Sequence, residues 1–306
     1  MLDVKTLATP IVAAPLCGIS DYPFRQLNRE LGIGLTYTEM ISSVGITRGN
    51  AKSLSFTFVK GEHPVVVQIF GNDPTLMAQT AHTFECAGAD AIDINLGCSV
   101  KKVIKQGAGS ALQRDLGRTK DVIAAIRRAI NIPLFIKCRL GWSRQEENYI
   151  ELGKIAEGEG VNALCLHPRH ATQLFAGESN WEHFHTLRRA CSLPLIGSGD
   201  IKSSEQITQR LKDYPLNAVM LGRGLVGNPW LLTDFFQQPR PTAETVLRRH
   251  ADLLLAYYPE KKACSLLRKY IAKYTKGHPN AFALRLFGNT VSTANDINVL
   301  IEKMHV

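Results

Sequence analysis

The 306 residues contain no Cys-x-x-Cys pair, no long apolar run and no acidic excess, and each absence removes a class of protein. Seven cysteines, odd in number and scattered from Cys17 to Cys264, suit neither a disulfide framework nor a zinc cage. Reduced thiols in a cytoplasmic compartment are expected, with no metal. Apolar stretches such as 11–16 and 163–166 are far shorter than the roughly 20 residues that span a bilayer, so no membrane association is expected. Asp3 stands where a secretory leader would be basic, and the apolar start runs on into Asp21-Tyr22-Pro23-Phe24-Arg25 as strand, turn and helix would; no signal peptide is expected.

What is present is a chain 45% apolar, enough for one large core, with a net charge of +9. The charge is uneven. Residues 239–306 hold 11 Lys and Arg against 5 Asp and Glu, a net +6, whereas the first 238 residues contribute +3. A cationic excess gathered in a short terminal segment points to a polyanionic partner such as nucleic acid.

Eight short runs rich in apolar and β-branched residues recur at 11–14, 35–38, 65–70, 91–96, 134–138, 163–167, 195–198 and 218–221. Between most of them lie helical periodicities, such as Leu76, Thr80, Thr83 and Ala87, or Val122, Ile123, Ile126 and Ile130. Strands apolar on both faces that alternate with helices form parallel sheets, and eight of them close into an α/β (β/α)₈ TIM barrel. Gly222-Arg223-Gly224-Leu225-Val226-Gly227 matches a dinucleotide fingerprint, but no further strand follows it, so it is read as a phosphate loop after the eighth strand. After the linker Gln237-Gln238-Pro239-Arg240-Pro241 only helical signals remain. Three faces are read there: Val246, His250, Leu253 and Tyr257; Ala263, Leu267, Tyr270 and Tyr274; and Ile297, Leu300, Ile301 and Met304. The expected organisation is a catalytic barrel over 1–238 and a basic helical domain over 239–306.

In such a barrel the working groups stand where strands end. Here they are Pro15-Leu16-Cys17, Glu39, Gln68, Asn95 with Cys98, Lys137 with Arg139, His167 with Arg169, Ser198-Gly199-Asp200, and Gly222-Arg223. Amides and cations dominate, and neither a carboxylate pair for glycoside chemistry nor a metal-ligand spacing is evident. The set suits an anionic, conjugated, phosphate-bearing ligand, and flavin mononucleotide (FMN) answers to that description. Its phosphate would lie on Ser198, Gly199, Asp200, Gly222 and Arg223, and its ring against Lys137 and Gln68.

Asn95-Leu96-Gly97-Cys98-Ser99-Val100-Lys101-Lys102 closely resembles the Asn-x-Gly-Cys-Pro-x-Lys motif of the tRNA-dihydrouridine synthases, and Lys101-Lys102-Val103 the continuation found in their bacterial B-type branch. Ala14-Pro15-Leu16-Cys17-Gly18, Pro23-Phe24-Arg25, Thr38-Glu39-Met40, Asp93-Ile94-Asn95, Gly109-Ser110-Ala111-Leu112 and Lys137-x-Arg139-x-Gly141-Trp142 agree in order and spacing. The resemblance implies that a nicotinamide, NADPH or NADH, reduces FMN, that uridine in the D-loop of tRNA receives the hydride, and that Cys98 supplies the proton. A thiol suits that task because it is mostly protonated at neutral pH yet can release its proton. The resemblance further implies flavin contacts at Pro15, Leu16, Cys17, Gln68, Lys137 and His167, and uracil contacts at Asn95, Arg139 and Arg169. Lys269, Lys273 and Lys276 recur at i, i+4 and i+7 along one helix with Arg268 beside them, a stripe expected to face RNA phosphates. The chain is taken as a monomer. Four positions depart from the family pattern: Ser99 replaces proline, Pro168 glycine, His170 threonine and Ser198 asparagine. Two other readings use the same residues, a flavin-barrel tRNA-binding protein with weakened catalysis and a small-molecule pyrimidine reductase.

Overall fold

The computed structural model describes residues 2–49, 59 and 61–304, and the ends of both expected domains reach slightly beyond them. Nine parallel strands occur among the described residues: β1 (Ile11–Ala13), β2 (Leu35–Tyr37), β3 (Ile41–Ser42), β4 (Val65–Phe70), β5 (Ala91–Asn95), β6 (Leu134–Arg139), β7 (Ala163–His167), β8 (Leu195–Ser198) and β9 (Ala218–Leu221). Eight form a closed ring, because β1 pairs with both β2 and β9, and β2 pairs with β4. The two-residue β3 is an addition beside β4 that is too short to leave a sequence signal.

Alternation along the strands sorts residues into two layers. Val12, Leu35, Tyr37, Val66, Ala91, Phe135, Ala163, Cys165, Ile196, Ala218 and Met220 fill the barrel interior. Ile69, Ile92, Ile94, Ile136, Leu164 and Leu166 face outward into the helix layer. The inward parity continues toward the strand ends as Gln68, Asp93, Asn95, Lys137, Arg139, His167 and Ser198. The interior thus changes from apolar at the bottom, plugged by Val4, to polar at the mouth.

Helix starts follow local capping chemistry. Asp21 accepts from Phe24 N with Pro23 in the first turn, Asp73 from Leu76 N with Pro74 beside it, and Asp115 from Arg118 N. In the helix Pro74–Cys86 the buried face is Met77, Thr80, Ala81 and Phe84 instead of the one expected through Leu76, Thr83 and Ala87. The larger side chains of Met77 and Phe84 lie three and four positions from Thr80 and Ala81, and they carry the burial.

Beyond the barrel stand four helices, Ala243–Tyr257, Glu260–Tyr274, Ala281–Gly288 and Ala294–Glu302, one more than the periodicity indicates. The first two dock on the first barrel helix, Tyr22–Glu30. Phe24 stacks on Tyr270 with centroids 6.3 Å apart, Tyr22 meets Tyr257 at 5.3 Å, and Arg249 grips the Glu30 carboxylate with two nitrogens. Tyr270 and Tyr274 are core residues.

Candidate active site

The strand ends surround a cavity of about 620 Å³, within the size range of cofactor sites. One wall is the turn leaving β5. Asn95 Oδ1 accepts from the backbone N–H of Gly97 (3.2 Å) and Cys98 (2.9 Å), which folds the chain back at once. Ser110 then secures the turn from the other side, its N–H and its hydroxyl both donating to Cys98 O at 3.0 Å. Gly109 makes this approach possible, since it holds φ +62° and a Cβ there would stand 2.6 Å from Cys98 O. Cys98 is left partly exposed on the cavity wall.

The neighbouring strands bring cations and amides. The Lys137 side chain enters the cavity from β6 and has no hydrogen bond or ion pair among the described residues. Arg139, two residues on, is held rigidly, with Nε donating to Gly97 O (2.9 Å) and one terminal nitrogen to His170 O (3.0 Å). Burial, reinforced by Arg169, lowers its pKa to about 10. His167 ends β7, and burial together with Lys137, Arg139, Arg169 and Arg223 drives its pKa down to about 2, so the ring is neutral. Arg169 can only donate, so His167 Nε2 at 3.2 Å accepts and Nδ1 carries the hydrogen.

The loops after β8 and β9 close the opposite wall. A Cβ on Gly199, which has φ +132°, would stand 2.3 Å from Ser179 Oγ, and one on Gly224 2.3 Å from Ile201 O. Gly199 thus lets the loop after β8 meet the one after β7, and Gly224 lets the loops after β8 and β9 approach each other. The residues from Gly222 to Gly227 form turns and do not open a helix, since the next one starts at Trp230. Arg223 sits 4.3 Å from the ring centroid of Phe175 and 3.8 Å from Asp200. Apolar floor residues, the free Lys137, the amides and this glycine-lined, cationic end together fit a flat conjugated ligand with an anionic tail.

Residues 11–304 match the family model of dihydrouridine synthase (Dus). The chain belongs to the dihydrouridine synthase family. Similar relatives agree: the tRNA-dihydrouridine synthase B of Pseudomonas aeruginosa is 33% identical over 92% of this chain and 88% of that protein. The one from Xanthomonas campestris is 34% identical over 94% and 90%, and that of Vibrio cholerae 33% over 94% and 93%. Among solved structures, histamine dehydrogenase from Rhizobium sp. 4-9 superposes with a TM-score of 0.55 at 13% identity, covering 81% of this chain and 49% of that one. That likeness concerns the barrel fold.

With the family established, its expected residues can be located. Pro15, Leu16, Cys17, Gln68, Asn95, Cys98, Lys137, Arg139, His167, Ser198, Gly199, Asp200, Gly222 and Arg223 all line the one cavity. Arg169 does not line it. Its side chain is 2% exposed and its guanidinium is consumed by Asp200, Ser179, His167 and the carbonyls of Ala176 and Gly177, so it braces the β8 loop from behind. Glu178 is its near neighbour in sequence, but the fold delivers Asp200 instead. Burial opposes the Asp200 charge, yet Arg169 and the Ser179 N–H hold its pKa below the ordinary value.

Two of the four departures from the family pattern, Ser99 and His170, find partners. The Ser99 hydroxyl lies 3.4 Å from Ser110 Oγ, tying the turn that proline would stiffen. His170 reaches Glu147 (2.7 Å) and Gln173 (2.9 Å), joining the loops after β6 and β7, which also share backbone bonds Ala171 N to Gly141 O and Thr172 N to Trp142 O. Phe175, which no motif marks, lines the cavity while 56% exposed.

A second cavity of about 630 Å³ adjoins the first, sharing Met40 and Val100, and reaches Tyr258, Lys262 and Leu266 of the C-terminal helices. Lys269 donates to Gly18 O in the loop after β1 at 2.9 Å, and the stem of Lys273 packs on Gly227. Arg268 is turned inward to Val291 O.

Proposed function

We propose that this chain reduces a uridine base of tRNA to 5,6-dihydrouridine, with FMN in the 620 Å³ cavity and Cys98 as proton donor. The observation that carries this reading is the convergence of Cys98, Asn95, Gln68, Lys137 and Arg139 on one cavity closed by two glycine-bearing loops. When bound, FMN supplies hydride to one carbon of the uracil double bond, its electrons drawn from NADPH or NADH. Lys137 and Arg223 offset the charge of the cofactor, and Gly199, Gly222 and Arg223 receive its phosphate. Asn95 and Arg139 orient the pyrimidine, and the Cys98 thiol protonates the carbon opposite the hydride.

RNA is held by the helix Glu260–Tyr274 and the turn after it, whose exposed Lys269, Lys273 and Lys276 follow the barrel edge where Lys269 reaches Gly18 O and Lys273 packs on Gly227. Phosphate contacts of this kind position the RNA without reading its sequence. Arg169 and Arg268, being engaged internally, serve as braces. The chain does this work as a cytoplasmic monomer on a uridine of the D-loop. The test is to map dihydrouridine in tRNA from cells with and without the gene, complemented by wild type and by Cys98→Ala. The reading predicts one D-loop position that is modified only with wild type. Unchanged dihydrouridine in the deletion would contradict it, and turnover of free uracil as fast as tRNA would favour a small-molecule reductase.

A further inference from the structure

Behind the cavity wall runs a chain of amides whose direction can be deduced from one end. The backbone N–H groups of Gly97 and Cys98 can only donate, so the Asn95 atom facing them is oxygen. Asn95 Nδ2 therefore faces Gln68 and meets Oε1 at 2.8 Å. Gln68 must then turn Nε2 toward the barrel interior, where it meets Asp93 Oδ2 at 2.7 Å. Residue 93 has to offer an acceptor, and any other arrangement leaves a buried N–H unpaired or sets two donors against each other. We propose that Asp93 is a positioning residue, fixing which way round Gln68 and Asn95 are held and through them the turn that carries Cys98.

The role needs an oxygen and not a charge. Asp93 is fully buried, and its second oxygen, Oδ1, has no hydrogen-bond partner; neither has the buried hydroxyl of Tyr37. Tyr37 on β2, Lys137 and Cys138 on β6 and Cys165 on β7 are the titratable groups among the described residues that interact with it, and Lys137 is the one cation among them. Burial outweighs Lys137 and the Gln68 bond, raising the Asp93 pKa to about 7. A neutral carboxyl, with its proton on Oδ1, presents to Gln68 the same single acceptor that an asparagine would.

The inference rests on Gln68 and Asn95 bordering the reacting groups. Asp93→Asn and Asp93→Leu, each loaded with FMN, are compared with wild type in single-turnover reduction of unmodified tRNA and in KM. Asp93→Val, suited to a strand, replaces the Leu variant should that fail to fold. Asp93→Asn is expected within about fivefold of wild type, the scale of one neutral hydrogen bond. The apolar variants are expected to lose on the order of 100-fold in kcat, as misplaced reacting groups do, with KM little changed. An Asn variant as impaired as the Leu variant would show that charge matters and overturn the proposal, and so would apolar variants that keep the wild-type rate. Alkylation of Cys98 by iodoacetamide, followed by peptide mass spectrometry, needs no turnover. It is expected to match wild type in Asp93→Asn and to shift about tenfold in the apolar variants, the equivalent of one lost bond. Should wild type make no dihydrouridine, the functional reading fails while alkylation still decides the relay; equal rates in all variants would overturn it.

Discussion

Asp93, His167 and His250 are each buried with a folded pKa far from the value of the unfolded chain. His250 is fully buried against Tyr274, and burial lowers its pKa to about 3; His167 falls to about 2. Between those values and the ordinary 6.5 the unfolded imidazoles bind more protons, so each contributes stability that is present above pH 6.5 and lost on acidification. Asp93 works in reverse. Its folded pKa of about 7 lies above the ordinary 3.8, so its contribution is greatest at low pH and is lost as pH rises to 7. From these three groups the chain loses one proton's worth of stability on going from pH 6.5 to 4, about 1.4 kcal/mol per pH unit. His250→Phe is expected to lessen that slope by a similar amount, measured by urea unfolding at pH 5, 6 and 7.5; an unaltered slope would count against a neutral buried His250. Cys98 was legible at this scale because its motif surrounds it. Asp93 was written in the same motif but carried no assignment, and the signal that could have found it is parity. An acid two residues before Asn95 must face the same interior.

At the scale of elements, two tight approaches hold the site open to its ligand. Gly224→Ala forces a Cβ to 2.3 Å from Ile201 O, so the β8 and β9 loops must separate. FMN affinity, measured by fluorescence titration, is expected to fall about tenfold or more, with the overall fold kept; unchanged affinity would separate these loops from the phosphate. Far from the mouth, Arg25 and Glu62 form a buried bidentate pair at 2.6 and 2.7 Å between the first helix and the approach to β4. Glu62→Ala leaves a buried guanidinium short of its counter-charge and should cost about 3–5 kcal/mol in urea unfolding. The eight barrel strands were readable because each is apolar on both faces. Helix Ala281–Gly288 was not, since among its buried residues only Leu284 is large and Phe282 and Leu286 stay exposed. Its pattern is set by neighbours that sequence spacing does not show.

Across the whole molecule the proposed function divides labour between a barrel that holds the chemistry and a cationic helix docked beside it. Replacing Lys269, Lys273 and Lys276 together by alanine is expected to weaken tRNA binding and to flatten its salt dependence by about two to three in log–log slope, with FMN affinity intact. A loss of FMN binding would show instead that Lys269, through Gly18, shapes the cavity. The +6 charge of residues 239–306 pointed to this partner class, but the inward turn of Arg268 could not be read from its spacing. The most direct test of the account is rapid mixing of reduced, FMN-loaded protein with unmodified tRNA, following flavin reoxidation by absorbance in wild type and Cys98→Ala. The account predicts full flavin content in both and reoxidation by tRNA slowed on the order of 100-fold or more in Cys98→Ala. Protein that takes up no FMN, or equal reoxidation rates in the two, would contradict it.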